Sequence, residues 1–153
     1  MSPIRIHNRA HVLVCDGSKA LLFDNAGDAR ALDLKVVDVA FEPHPPSRAF
    51  GTERPGRVHE SLGASRSAVR AADLHQSAET EFLRNVSRKL DEVVRERAVK
   101  HLVVVAPPKA LGELRAAFTP AVKAVVTAEV PKDLARLSTP EIERRLTALG
   151  QLA

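Results

Sequence analysis

Residues 101–108 read HLVVVAPP, a continuous apolar run that ends at two prolines. Apolar residues without alternation are typical of a strand buried on both faces, at the centre of a sheet that helices cover. Pro107 and Pro108 lack the backbone N–H group that a strand donates, so the strand ends before them. The stretch therefore predicts an α/β domain, in which the flanking sequence supplies the other strands and the covering helices.

Downstream of this strand, the sequence predicts helix, strand and helix. A helix over residues 109–118 places its leucines on one face, and residues 121–130 contain a strand rich in β-branched residues. Residues 132–137 predict a short helical turn. The last helix starts at Ser138-Thr-Pro-Glu141, a capping box with proline in the first turn, and ends at Gly150. Its predicted buried residues are Ile142, Leu146 and Leu149.

Upstream of the central strand, the sequence predicts a long amphipathic helix. We expect order to return between residues 67 and 77 and the helix to continue to about Arg97. Its apolar residues recur at spacings of three and four, with charged residues on the opposite face. These residues are Ala78, Phe82, Val86, Leu90 and Val93.

The first third of the chain predicts a meander of three antiparallel strands. A turn at Asp16-Gly17 joins the first two strands, and the alternation of the third slips between Val36 and Val37, which predicts a bulge or bend. The element order βββ-α-β-α-β-α predicts a mixed sheet covered by helices in a single domain over residues 1–153. This order matches the ribonuclease H-like topology. The three predicted strands cover residues 10–16, 19–24 and about 30–41.

Residues 43–66 differ in composition from the rest of the chain. The part up to residue 65 holds four of the ten prolines and three of the seven glycines, and it has almost no apolar periodicity. Loops of this length within a domain are uncommon and are usually functional or disordered, so we expect a mobile loop. Arginines outnumber acids in and just after it, and lysine is absent. Because arginine forks match phosphate oxygens, the segment predicts contact with a polyanion.

Composition excludes several classes of protein. The net charge of +4 permits a polyanionic partner without requiring one. With no Trp or Tyr and five Phe, base stacking on aromatic side chains is not expected. The single cysteine, Cys15, excludes an internal disulfide. No run is apolar enough to span a membrane, and residues 1–9 lack the apolar stretch of a signal peptide. We therefore expect a cytoplasmic protein.

Asp16 is the strongest candidate for metal-dependent chemistry, because ribonuclease H-like nucleases place a carboxylate at the end of the first strand. A two-metal site would also need carboxylates such as Asp24, Asp38 and Asp133 to converge. The turn after the first strand already accounts for Asp16. The six histidines show no metal-ligand spacing, and Cys15 lies among apolar strand residues, which favours a core cysteine over a nucleophile. The sequence predicts no catalytic residue, metal or cofactor.

Several short motifs in order give the chain a close resemblance to the bacterial host attachment proteins. Each motif is weak alone, but together they extend over most of the chain. The family takes its name from a presumed role in attachment to host cells. The matching pieces are GTERPGR at 51–57, RSAV at 66–69, DLH at 73–75, EF at 81–82, VVVAPP at 103–108, LGELR at 111–115 and KDL at 132–134.

That family is similar to the middle domain of archaeal and eukaryotic class-one peptide release factors. In those proteins a long loop before a long helix carries a Gly-Gly-Gln motif that hydrolyses peptidyl-tRNA on the ribosome. Here residues 56–63 read GRVHESLG, and the chain has no Gly-Gly pair. The resemblance thus implies the fold and the position of the loop, without the residues of the release reaction.

The resemblance and the basic loop together predict a non-catalytic, translation-related protein that binds the ribosome or structured RNA. The predicted binding residues are Arg54, Arg57, His59, Arg66 and Arg70. One alternative is a hydrolase acting on an ester or a nucleic acid, in which His59, Glu60 and Ser61 replace the missing glutamine. The other is a protein-interaction module linked to attachment, in which the loop folds onto a protein partner.

Overall fold

A computed structural model describes residues 5–37 and 64–150, with side chains in the second range described from residue 73. Within these ranges the chain forms five strands and four helices. In chain order they are β1 (His11–Cys15), β2 (Ala20–Asn25), β3 (Leu34–Val36), α1 (Ala64–Glu96), β4 (Leu102–Val105), α2 (Pro108–Ala117), α3 (Pro120–Val125), β5 (Val126–Val130) and α4 (Thr139–Gly150).

The strands form one mixed sheet in the order β3-β2-β1-β4-β5. β1 pairs antiparallel with β2 and parallel with β4, and β5 continues the parallel half. The predicted mixed α/β class is confirmed, and β4 lies at the centre of the parallel half, as the run HLVVVA predicts. The likeness to ribonuclease H-like proteins stays a prediction.

Helices bury both faces of the central strands. Leu13 of β1 and Val104 of β4 face a core built with α1, α2 and α3. Val14 and Val105 face the opposite core, which α4 closes with Ile142 and Leu146 among others. Because both faces are covered, these strands contain no polar positions between Val12 and Cys15 or between Leu102 and Ala106.

The predicted bulge between Val36 and Val37 does not occur in the described part of β3. β3 pairs with β2 in unbroken register, from Asn25↔Leu34 to Phe23↔Val36. Leu34 packs in the core of α4, whereas Val37 packs on the core of α1. The sequence phase slips because the apolar residues serve two faces of one strand, with no extra residue inserted. The rest of the predicted strand, residues 38–41, lies outside the described residues.

The strand predicted within residues 121–130 is confirmed, and it occupies only the second half of that range. Residues 120–125 form the short helix α3, and only Val126–Val130 form β5. Thr119 caps α3 by accepting a hydrogen bond from the Val122 N–H at 3.3 Å, and Pro120 occupies the first turn. A threonine cap followed by proline starts a helix, and here it outweighs the β-branched composition.

The other helices follow the prediction closely. α1 ends at Glu96 but begins at Ala64, three residues before the predicted return of order; alanine and arginine in its first turns favour a helix. α4 follows Ser138, whose Oγ accepts from the Glu141 N–H at 3.4 Å. Within residues 132–137, where a short helical turn is predicted, one turn forms, closed by the Leu137 N–H donating to Leu134 O at 3.1 Å. The predicted mobile loop falls almost entirely outside the described residues.

Candidate functional site

The carboxyl half of α1 belongs to the core. From residue 82 onward its apolar residues recur at helical spacing and face the sheet. We call residues 82–96 the packed half of α1. Its buried residues are Phe82, Leu83, Val86, Ser87, Leu90, Val93 and Val94.

The amino half of α1 contributes no described side chain to the core. Residues 73–75 and Ser77 are exposed, and the Leu74 side chain is 56% exposed. We call residues 64–78 the projecting half. At 1.5 Å per residue it adds about 22 Å of helix ahead of the packed half. None of its described side chains is buried, and helices in proteins are stabilised mainly by packing. The described part of the projecting half therefore depends on its continuity with the packed half.

A set of polar contacts fixes α1 where the two halves meet. A Cβ atom on Gly17 would lie 2.7 Å from Glu79 Cδ, so the glycine in the β1–β2 turn lets α1 pass close to the sheet edge. His75 Nε2 lies 3.2 Å from Glu79 Oε2. Thr80 Oγ1 donates to Glu113 Oε1 at 2.6 Å. Together with the contact of Lys109 Nζ and Gln76 Oε1, these residues form what we call the clamp: Gly17, Gln76, Glu79, Thr80, Lys109 and Glu113.

The clamp lies at the carboxyl ends of β1 and β4, since Gly17 follows β1 and Lys109 is in the first turn of α2, just after β4. In open α/β sheets this edge is where ligands bind. The projecting half continues past it in the direction of its own amino terminus. The sheet therefore presents the start of α1 at the edge that usually carries function.

Two of the five predicted binding residues fall within the described backbone. Arg66 and Arg70 lie in the first two turns of α1, four residues apart. Arg54, Arg57 and His59 lie outside the described residues. Glu60 and Ser61, which the hydrolase alternative invokes, lie outside them as well.

Asp16 is held by the turn that follows β1. Its Oδ1 accepts from the backbone N–H groups of Ser18 and Lys19, each at 2.8 Å, and its Oδ2 lies 3.5 Å from Arg136 Nε. Asp24 lies on β2 opposite the first residue of β1, at the other edge of the sheet. Across residues 5–37 and 64–150, no three His, Cys, Asp or Glu side chains are grouped so as to hold a metal ion.

The Cys15 side chain is fully buried in the α1-facing core. Burial, followed by the charge of Asp16, raises the pKa of its thiol far above the ordinary range. A thiolate is the nucleophilic form of cysteine, and here it does not form near neutral pH. The side chain acts as a small apolar core residue.

Sequence reasoning missed two features. The clamp depends on the close approach of residues 17 and 79, which are too distant in sequence for a local pattern to show. Gly17 gave no signal either, because the β1–β2 turn already accounts for a glycine there. The second is His11, which is buried at the start of β1 and has no hydrogen-bond partner for either ring nitrogen. Its position before an apolar run was the available signal, because a polar residue there must be satisfied or exposed.

A family of known proteins matches most of the chain. The model of a family described as "Protein required for attachment to host cells" matches residues 11–146. No curated protein matches the chain. In the described part of the chain, none of the helices combines the length and the apolar character needed to cross a bilayer; α1 is long enough but carries charged residues along its length.

Proposed function

The chain belongs to the family described as required for attachment to host cells, and we propose that it is a non-catalytic protein that contacts RNA or the ribosome. The contact surface is the basic segment that includes Arg54, Arg57 and His59, continued by Arg66 and Arg70 of the projecting half. In this proposal the protein resembles the release-factor middle domain without its Gly-Gly-Gln motif.

The observation that carries the proposal is the difference in burial between the two halves of α1. The packed half buries a full apolar face, whereas the described part of the projecting half, residues 73–78, buries none. The clamp nevertheless holds α1 at the carboxyl edge of the sheet, through the contact of Lys109 with Gln76 within that half and through Thr80 and Glu113 just after it. A segment that is positioned but not packed is suited to meeting a partner.

The charge of the projecting half supports an anionic partner. Its first turn contains no acidic residue, and Asp73 is the only acid within residues 64–78. The helix dipole places partial positive charge at the same end as Arg66 and Arg70. Arginine forks bind phosphate oxygens in bidentate geometry, so this end of α1 attracts a phosphate backbone.

Sedimentation with ribosomes tests the proposal. Tagged wild type should enter the ribosomal fractions of a sucrose gradient at low salt. Replacing Arg54, Arg57, Arg66 and Arg70 with Gln should move the protein to the top of the gradient. The matched control replaces Arg84, Arg88, Arg144 and Arg145 with Gln; these exposed arginines lie on the packed half and on α4. The control should sediment as the wild type does.

Other outcomes would overturn the proposal in distinguishable ways. Co-sedimentation that survives complete ribonuclease digestion would indicate a protein partner. Hydrolysis of peptidyl-tRNA or of an ester that is lost on replacing His59, Glu60 or Ser61 would indicate an enzyme. If wild type and both quadruple variants all stay at the top of the gradient, the translation-related function is wrong.

A further inference from the structure

A second polar site lies at the opposite edge of the sheet, where β1 and β4 begin. It is a cleft of about 420 Å³ between the start of β1, the end of β2 and the segment that joins α1 to β4. We call it the amino-edge cleft. Its polar lining residues are Asn8, Arg9, His11, Asp24, Arg97, Lys100 and His101.

The floor of the cleft holds two unsatisfied groups. His11 is only 8% exposed, and neither ring nitrogen has a partner that meets hydrogen-bond geometry, although the backbone of Arg9 lies close enough to raise the pKa of the ring. Asp24 is paired with His11 in the β1–β2 register, and its buried Oδ1 has no partner. Buried polar atoms are nearly always hydrogen-bonded, so the unsatisfied nitrogens of His11 and the Oδ1 atom of Asp24 on the neighbouring strand favour a ligand here.

The protonation of His11 defines what the floor can bind. Burial lowers the pKa of His11, and Arg97 lowers it further, although Asp24 and the backbone of Arg9 act in the opposite direction. The ring is therefore neutral at physiological pH, with one nitrogen that donates and one that accepts. The Asp24 carboxylate only accepts. A molecule that satisfies this floor must both donate and accept hydrogen bonds.

The rim of the cleft selects for negative charge. Arg9, Arg97 and Lys100 are exposed cations, and Arg9 Nη1 is 3.9 Å from Asp24 Oδ2, too far for a hydrogen bond. Arg9 and Ala98 are also the two non-glycine residues with positive φ in the described ranges, at 71° and 51°, and both line this cleft. Such backbone strain tends to collect at binding sites.

We propose that the amino-edge cleft binds inorganic phosphate and discriminates against sulfate. Phosphate keeps at least one P–OH group at neutral pH, which donates to Asp24 Oδ1 or to the accepting nitrogen of His11. Its remaining oxygens accept from the His11 N–H and from the cations of the rim. Sulfate has the same shape and the same kind of charge but no proton, so it leaves the Asp24 oxygen facing another oxygen.

The test is a pair of NMR titrations at equal ionic strength, one with phosphate and one with sulfate, observing the His11 ring nitrogens. Phosphate should shift them in a saturable way, and sulfate should bind at least about tenfold more weakly, since a hydrogen bond to a charged group is worth about 1.5–3 kcal/mol. A third titration with glycerol phosphate distinguishes the free ion from a phosphomonoester as the preferred ligand. Sulfate binding equal to phosphate binding, or unshifted His11 signals, would overturn the proposal.

Variants of Asp24 and Lys100 test which groups distinguish phosphate from sulfate. Asp24→Asn replaces the accepting oxygen with an amide that can donate, so sulfate affinity should rise and the preference for phosphate should fall about tenfold. Asp33→Asn, an exposed change on the same hairpin, is the matched control and should leave the preference intact. Lys100→Gln should weaken both anions while keeping their ratio, and it serves if Asp24→Asn does not fold. An unchanged ratio in folded Asp24→Asn, or a ratio abolished by Lys100→Gln, would contradict the assignment.

Discussion

The two halves of α1 are continuous in backbone but opposite in what they contribute. The packed half buries Leu90 completely, together with six other side chains of the same helix. The projecting half leaves Leu74 more than half exposed, and its Gln76 contacts Lys109 in the clamp. The contrast shows that residues 73–78 are not held in α1 by the core, because none of their side chains is buried.

Burial makes the two halves differ in energy as well. Burying one large aliphatic side chain contributes about 1.5–3 kcal/mol, so the packed half supplies a large share of the stability of a marginally stable domain. The projecting half adds little stability and must order its own backbone. We therefore expect stability and binding to respond to separate sets of substitutions on one helix.

The largest expected effect is on the packed half. Leu90→Ala should lower the free energy of unfolding by about 2–5 kcal/mol, because it leaves a cavity in the α1-facing core. Leu74→Ala should change it by less than about 0.5 kcal/mol. Urea unfolding of both variants measures the difference. Equal losses would show that the projecting half is packed after all.

Acid should lower the free energy of unfolding through His11, which lies near the carboxyl end of the packed half. The pKa of His11 is lowered in the folded state, so folding favours the neutral ring. Its contribution is complete above the unfolded value of about 6.5 and is lost as the pH falls below it. Asp24 and Arg9 face His11 from the strands, and Arg97, Lys100 and His101 from the α1–β4 connection.

The measurement is the free energy of unfolding between about pH 7 and pH 5, for wild type and His11→Gln. Wild type should lose stability across this range, and the variant should lose less. The carboxylates with lowered pKa, Asp28 and Glu141, lose their contributions only at more acidic pH, so they do not obscure the comparison. Parallel curves for the two proteins would show that His11 is not the titrating group.

A smaller change in the free energy of unfolding is expected from a substitution at Ala98, where the packed half ends. Ala98 adopts a left-handed conformation, with Val99 N–H donating to Val94 O at 3.1 Å, a helix ending that favours glycine. Ala98→Gly should therefore raise the free energy of unfolding by about 0.5–1 kcal/mol, after the greater freedom of glycine in the unfolded chain is allowed for. Ala116→Gly, in an ordinary helical conformation within α2, should lower it instead. Chemical denaturation distinguishes the two signs, and destabilisation by both would contradict the assigned strain.

The smallest expected effect on stability comes from the predicted binding residues. Replacing Arg54, Arg57, Arg66 and Arg70 with Gln should change the free energy of unfolding by less than about 0.5 kcal/mol, as surface substitutions usually do. Thermal unfolding followed by circular dichroism measures it. A drop comparable to that of Leu90→Ala would mean that these arginines support the fold rather than bind a partner.

Much of the fold could be predicted from residue patterns, because burial imposes them. The run at residues 101–106 predicts a strand covered on both faces, and the spacing from Phe82 to Val93 predicts the packed half. The prediction failed where two patterns overlap. Val122 and Val125 fit a strand by composition, yet the Thr119-Pro120 cap makes them helical. Val36 and Val37 suggested a bulge because periodicity alone does not show that one strand carries apolar residues on both faces.

The candidate sites could be predicted less well. Arg66 and Arg70 stand out by residue type and spacing, but nothing local shows that the helix bearing them is clamped at the sheet edge. That requires the contact between Gly17 and Glu79, which are distant in sequence. His11 and Asp24 likewise become neighbours only through strand pairing. Features made by tertiary contact leave little trace in a single sequence.

The salt dependence of binding tests the division of α1 most directly. Arg66→Gln/Arg70→Gln and Arg84→Gln/Arg88→Gln remove the same charge at the same spacing from the two halves of one helix. If the projecting half contacts phosphates, the first pair should flatten the log–log slope of ribosome or structured-RNA affinity against salt by roughly 0.7–0.9 per lost contact. The second pair should leave the slope as it is in wild type. Equal flattening by both pairs, or no binding by wild type even at low salt, would contradict the claim that the projecting half is the binding half.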